Sequence, residues 1–245
     1  MAFQWIFDNA ADISMVRRPI VSQTTSRDQR IRTVSRGGNI WRFKVTMPKG
    51  LRWQENSSYI AAVDDYNILK TDYVNMSRPQ FNYIMGYKGD GIPNTGPTSA
   101  WEIYGTNGQD TVYVTPYLSG PGTVYPYMML FRAGDFIQPY RYNTDSSNPV
   151  YNGQVYSVVE DVPLYLSSPH AVKINRPFLD QNLSGSAIEG FTAIEPDSQG
   201  HIHSSLKYGS QVTWKVICTV CPTWTINPGG LVSWSGPFEF AEVLQ

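Results

Sequence analysis

The chain has 245 residues and a formal net charge of −1, with 16% charged and 13% aromatic residues, among them sixteen Tyr and seven Trp. An average globular protein carries roughly 25% charge, so this chain has more amphipathic ring surface than charge to solvate it, and extensive interfaces are expected. No uncharged apolar run reaches membrane-spanning length. The opening Met1-Ala2-Phe3-Gln4-Trp5-Ile6-Phe7-Asp8 lacks the basic region and long apolar stretch of a secretion signal, so folding in a cytoplasm, with the two cysteines initially reduced, is the expectation.

Taken in chain order, the first segment to about Pro19 reads as extended, with Ile13-Ser14-Met15-Val16 as its strand-like core. After the polar turn at 22–28, Arg30-Ile31-Arg32-Thr33-Val34 alternates, and Arg36-Gly37-Gly38-Asn39 offers residues that tolerate positive φ in a hairpin turn. In the strand that follows, Trp41, Phe43, Val45 and Met47 share one face and Arg42, Lys44 and Thr46 the other. Pro48 ends it, having no N–H for a ladder.

Asn56-Ser57-Ser58 supplies N-cap candidates, and Tyr59, Ile60, Val63, Tyr66 and Leu69 follow helical spacing with Asp64 and Asp65 outward. One short helix near 57–70 is therefore predicted, and no second of comparable quality. Strands are predicted at 81–87, 111–115, 127–131, 154–159 and 170–174, separated by stretches rich in turn formers. Near the other end, 212–220 repeats the pattern of the 40–47 strand, with Pro222 just beyond, and 232–243 reads as a closing strand paired with it. Two such half-apolar strands with long material between them point to one sheet system split by an insertion, and to assembly rather than catalysis.

The charge is divided along the chain. Ten of the nineteen Lys and Arg but three of the twenty Asp and Glu lie at or before Arg52, making that stretch +7 and the remainder −8. One reading is a basic edge that meets the acidic flank of an identical subunit; the other is a solvated basic strand pair.

The basic hairpin, the strand Trp41-Arg42-Phe43-Lys44-Val45-Thr46-Met47-Pro48 and the short helix resemble the tail-tube-like module of tailed-bacteriophage distal tail and baseplate ring proteins. Ala133-Gly134-Asp135-Phe136-Ile137, the 153–161 segment with Glu160-Asp161, and the 172–178 segment with Arg176-Pro177 look like the β-barrel insertion often found in that family. The resemblance implies a mainly β fold: a tail-tube-like β-sandwich from 1–80 and 205–245 with one short helix, split around an inserted β-barrel-like or extended β domain at 81–204. It implies a structural virion protein, assembled in the host cytoplasm, forming a ring, commonly hexameric, around the DNA channel. Its partners would be itself, the tail tube protein, baseplate hub or wedge proteins, and tail fibre or host-binding proteins. DNA would be passing cargo only, and no membrane, cofactor or enzymatic activity is implied. The alternatives are a tail tube or tube-initiator or terminator protein, and a carbohydrate-binding tail adhesin. Arg30, Arg32, Arg36, Arg42 and Lys44 are the candidates for the ring contact, facing acidic residues of a neighbour.

Other residues were weighed for chemistry. Cys218-Thr219-Val220-Cys221 has C-x-x-C spacing but sits at a strand end without a second ligand pair, so two small residues near a strand end is the better reading. His201 and His203 share one face of an extended segment, the geometry of a two-His metal clip, with His170 the one further histidine. No metal is expected; His201, His203, Cys218 and Cys221 are the candidates should one bind. Asp64-Asp65 and Glu160-Asp161 could supply glycosidase acids, but adjacent residues on a strand point opposite ways. Trp101, Tyr104, Tyr117, Tyr125 and Tyr127 could stack on sugars or form subunit contacts.

Overall fold

The computed structural model describes residues 2–25, 31–65, 70–90, 102–106, 108–115, 128–142, 149–164, 169–179 and 204–244. Its contacts divide the chain into Met1–Met76 with Trp214–Gln245, and Ser77–Thr213, against divisions expected at 80/81 and 204/205. The described residues are mainly β, with three α-helices where one was expected.

In the first unit a five-stranded sheet runs in the order Asp12–Thr25, Ile31–Thr46, Phe238–Glu242, Thr213–Val220 and Asp72–Asn75. The alternation expected in its second strand is present: Phe43, Val45 and, just beyond the strand, Met47 are buried and Trp41 is half-buried, while Arg42, Lys44 and Thr46 are exposed. Trp214 and Phe240 join Phe43 on the buried face, where the Phe43 and Trp214 rings meet edge to face at 5.4 Å.

The helix Ala2–Asp8 covers this face, with Phe3 5.1 Å from Phe240 and Phe7 5.8 Å from Phe43, ring centre to ring centre. This corrects the extended reading of the opening. Phe3, Ile6, Phe7 and Ala10 are all buried and recur at helical spacing, and the Phe3 amide, in the first turn of the helix, donates to Asp72 Oδ2 at 3.2 Å.

The second helix spans Trp53–Asp64, not 57–70, and buries Ile60 and Val63. Asn56 therefore lies within its first turn, where its side-chain amide donates to the Arg52 carbonyl at 2.9 Å instead of capping the start. Tyr59 stays half exposed but stacks on Trp5 at 5.6 Å. Residues 66–69 of the expected helix lie outside the described residues. The expected closing strand is two strands. Leu231–Trp234 belongs to a three-stranded sheet with Trp224–Asn227 and Leu51–Arg52, and Phe238–Glu242 pairs with Thr213–Val220 as anticipated. Gly236 and Pro237 separate them, the proline lacking the N–H a ladder needs.

The first two strands form a hairpin much longer than the sheet. Their pairing runs from Asp12 opposite Thr46 to Thr25 opposite Ile31, whereas Phe238–Glu242 pairs with this hairpin only from Val45 to Arg42. Beyond Trp41 the ribbon pairs, among the described residues, only with itself. The Arg36-Gly37-Gly38-Asn39 turn expected from sequence is instead strand interior. Register passes from Pro19 opposite Asn39 to Val21 opposite Ser35, leaving Ile20 against three residues. Pro19 cannot donate to the ladder and glycine accommodates the resulting bulge, so one pair of punctuation residues marks a kink rather than a reversal.

The second unit holds a seven-stranded sheet in the order Tyr156–Ser157, Phe136–Tyr142, Ser204–Tyr208, Glu102–Gly105, Thr111–Thr115 and His170–Lys173, with Pro149–Asn152 also paired to Phe136–Tyr142. A two-stranded sheet joins Met129–Phe131 to Val162–Pro163. Ile103, Val112, Val114, Ile137, Tyr156 and Val172 lie in one buried cluster. The strand expected at 81–87 is a short helix, Asn82–Met85, entered through a tight turn at Pro79–Phe81. Phe81 and Met85 are buried while Tyr83 is 74% exposed; a strand would have put Phe81 and Tyr83 on one face, so the period is helical. No helix among the described residues is long and apolar enough to cross a membrane.

Candidate functional site

The helix Ala2–Asp8 covers one face of the five-stranded sheet, and strand alternation sends Ser14, Val16, Arg42, Lys44 and Glu239 to the other. Together with Thr219 they line a depression of about 270 Å³. Lys44 stands between Ser14 and Glu239 on the flanking strands, and Arg42 between Val16 and Ala241. Thr219 is the extra residue at a register slip between Cys218 and Val220, and its hydroxyl donates to the Glu239 carbonyl at 3.1 Å. Neither Arg42 nor Lys44 makes an ion pair or side-chain hydrogen bond among the described residues, and Val16 beside them remains 41% exposed. The result is a shallow, basic, half-apolar sheet surface whose two cations are held by rigid backbone and are free for an anionic partner.

Of the five residues expected to form the ring contact, the structure thus brings Arg42 and Lys44 together on this face. Arg32 and Arg36 lie in the backbone of the long hairpin, their side chains outside the described residues, and Arg30 is itself outside them. Ser14, Val16 and Glu239 were missed by sequence reasoning; Ser14 and Glu239 share the face only through pairings with Lys44 that join distant parts of the chain.

Both cysteines are free, Cys218 buried and Cys221 exposed. Burial pushes the Cys218 thiol up to about 12, with the neighbouring Cys221 adding to the effect, and burial likewise raises Cys221, helped by the Asp64 charge. Cys218 Sγ donates to the Val220 carbonyl at 3.3 Å. Two thiols held protonated at a strand end are poor nucleophiles and poor metal ligands. His201 and His203 lie outside the described residues. His170 is buried opposite Val114, and among the described residues no three His, Cys, Asp or Glu side chains come together as a metal site.

The acid pairs have structural duties. Asp64 accepts from the Trp224 indole at 2.8 Å, and Asp161 accepts the Ala133 amide at 2.8 Å. Asp135, which the sequence singled out only as part of the 133–137 segment, is 1% exposed and accepts the amides of Lys88 at 2.9 Å and Arg132 at 2.8 Å. Burial raises its pKa, and the bonds from Arg132 and Lys88 oppose the rise. Arg176 is buried too, donating to the Val155 carbonyl and lying 5.3 Å over the Tyr156 ring. Next to it, Asn175 and Ser157 exchange bonds of 2.9 and 3.0 Å. The Gly134-Asp135 turn and the Arg176-Pro177 strand end therefore fasten the second unit to itself.

Among the aromatic candidates, Trp101, Tyr117, Tyr125 and Tyr127 lie outside the described residues. Tyr104 stacks on Tyr113, their rings 5.3 Å apart and 19° from parallel. No protein-family model matches this chain, and no curated protein matches its sequence.

Proposed function

We propose that this chain is a structural protein of a tailed-phage tail tip or baseplate, forming a ring around the DNA channel that couples the tail tube to hub and host-binding or wedge proteins. On this reading the first unit is a tail-tube-like β-sandwich and the second its β insertion. The observation that carries the proposal is the long hairpin. A two-stranded ribbon is marginal in water on its own, and this one runs beyond its sheet with no described strand beside it. Unpaired strand edges invite another chain, and a ring of identical subunits gives every hairpin the same neighbour.

The face bearing Arg42 and Lys44 supports the same reading. Two cations without a partner among the described residues complement the acidic balance of the chain after Arg52. Light scattering at low and moderate salt, followed by negative-stain imaging, tests the proposal. Closed rings with a central hole are expected, weakened by salt and by Arg42→Glu with Lys44→Glu; open-ended tubes would favour the tube-subunit alternative. Monomers at every concentration, with tube and hub proteins present, would overturn it.

A further inference from the structure

The outward face of the seven-stranded sheet carries a row of cross-strand neighbours, Tyr104, Tyr113 and Ala171, on three successive strands. Tyr104 and Tyr113 cover one face of each other's rings. Ala171, on the strand that ends the sheet, offers only a methyl group, so Tyr113 stays 37% exposed with its hydroxyl unbonded among the described residues. The contrast lies on the same sheet face, where the Tyr140 ring is covered by Lys207 Nζ at 5.3 Å. Two residues along from Ala171, on the same face of the same strand, Lys173 is exposed and makes no ion pair among the described residues; Thr111, its partner in register, lies beside it.

From this arrangement we infer that the sheet edge at Tyr113, Ala171 and Lys173 is a binding site for a carboxylate-bearing pyranose, a function separate from ring formation. An aromatic ring with one open face suits the apolar C–H face of a sugar, and the Tyr113 hydroxyl is on offer to its rim, whereas the Thr111 hydroxyl donates to Asp110 Oδ1 at 3.4 Å. The floor of Ala171 leaves room for the sugar to lie against the ring, and Lys173 supplies the charge complement for a carboxylate. Single-stranded nucleic acid also stacks on tyrosine but needs a basic groove along its backbone. Here the second cation of the face, Lys207, already lies over Tyr140, and burial lowers its affinity for a proton.

The test is binding of the full chain to an array of neutral and carboxylate-bearing oligosaccharides, with a thymidine oligonucleotide as competitor. Wild type is expected to bind carboxylate-bearing glycans. Tyr113→Ala and Ala171→Leu, the second covering the open side of the ring with charge unchanged, should each weaken binding at least tenfold. Lys173→Gln should remove the preference for acidic over neutral sugars, and Tyr83→Ala, an exposed ring elsewhere on this unit, should change nothing. Absence of glycan binding, binding unaffected by Ala171→Leu, or displacement of the glycan by the oligonucleotide would each overturn the inference.

Discussion

In the second unit the polar side chains around the 133–137 turn point inward and hold backbone: Asp135 takes two amides, Arg176 a carbonyl, and Asn175 exchanges bonds with Ser157. In the first unit Arg42 and Lys44 sit on an equally regular strand, yet hold nothing among the described residues. A buried charge is tolerated only where hydrogen bonds compensate its desolvation, and removing its partner is costly. An exposed charge on a sheet contributes little to the fold, so its placement is open to selection for other reasons. The difference separates residues that make the protein stable from residues available to a neighbour, although both kinds are Arg, Lys and Asp in the sequence.

The comparison breaks most visibly at Asp135. Replacement by alanine leaves two part-buried amides without their acceptor. Bonds to a charged group are worth about 1.5–3 kcal/mol each, partly offset by relief of the buried charge; a net loss of about 3 kcal/mol is expected in urea unfolding, with faster hydrogen exchange at Lys88 and Arg132. A loss below about 1 kcal/mol would mean that the turn is held by packing. Gly134 beside it adopts φ +89°, and an added Cβ would come within 3.2 Å of Lys88 Nζ. Gly134→Ala should cost about 1–2 kcal/mol by the same measurement, mainly from the left-handed backbone.

A smaller effect comes from Cys218. Its thiol ionises near 9 when exposed and near 12 in the fold, so the folded state retains a proton that the unfolded chain gives up. Stability is then unaffected below pH 9 and falls as pH rises from 9 toward 12. Unfolding midpoints measured across that range should decline less steeply in Cys218→Ala, and iodoacetamide at pH 8 should label the folded protein slowly. Rapid labelling at Cys218 would instead show a reactive thiolate.

These residues also explain what could be read from the sequence. The strand at 40–47 was legible because its alternation spans four pairs of positions, and the strand near 212–220, which lies on the far side of Phe238–Glu242 in the same sheet, for the same reason. The opening helix was not, because its seven residues are two turns, too short for periodicity to outweigh aromatic, strand-like composition; its amide partner Asp72 comes from a distant strand. Gly37-Gly38 was misread because glycine marks bulges as well as turns, and only the register distinguishes them. Of the candidate surface, Arg42 and Lys44 were legible from alternation, whereas Glu239 and Ser14 became neighbours through pairing between distant segments. Tyr113 was overlooked because what exposes its ring is the small residue opposite, Ala171, some sixty positions away.

The smallest expected change in stability is the one that sharpens the comparison most. If Arg42 and Lys44 serve a neighbour, neutralising both should leave the dissociated subunit within about 0.5 kcal/mol of wild type. Arg42→Gln with Lys44→Gln suits this measurement better than charge reversal. Lys44 lies opposite Glu239, and a carboxylate placed there would add like-charge repulsion of about 0.2–1 kcal/mol with no bearing on assembly. Urea unfolding in moderate salt, where the subunits are separated, reads the fold alone; light scattering of the same protein in low salt reads association. Wild-type stability with weakened association would assign these cations to the contact between subunits. A loss above about 1 kcal/mol in the dissociated subunit would instead place them among the charges that hold the fold, and the distinction between the two units would then rest on burial alone.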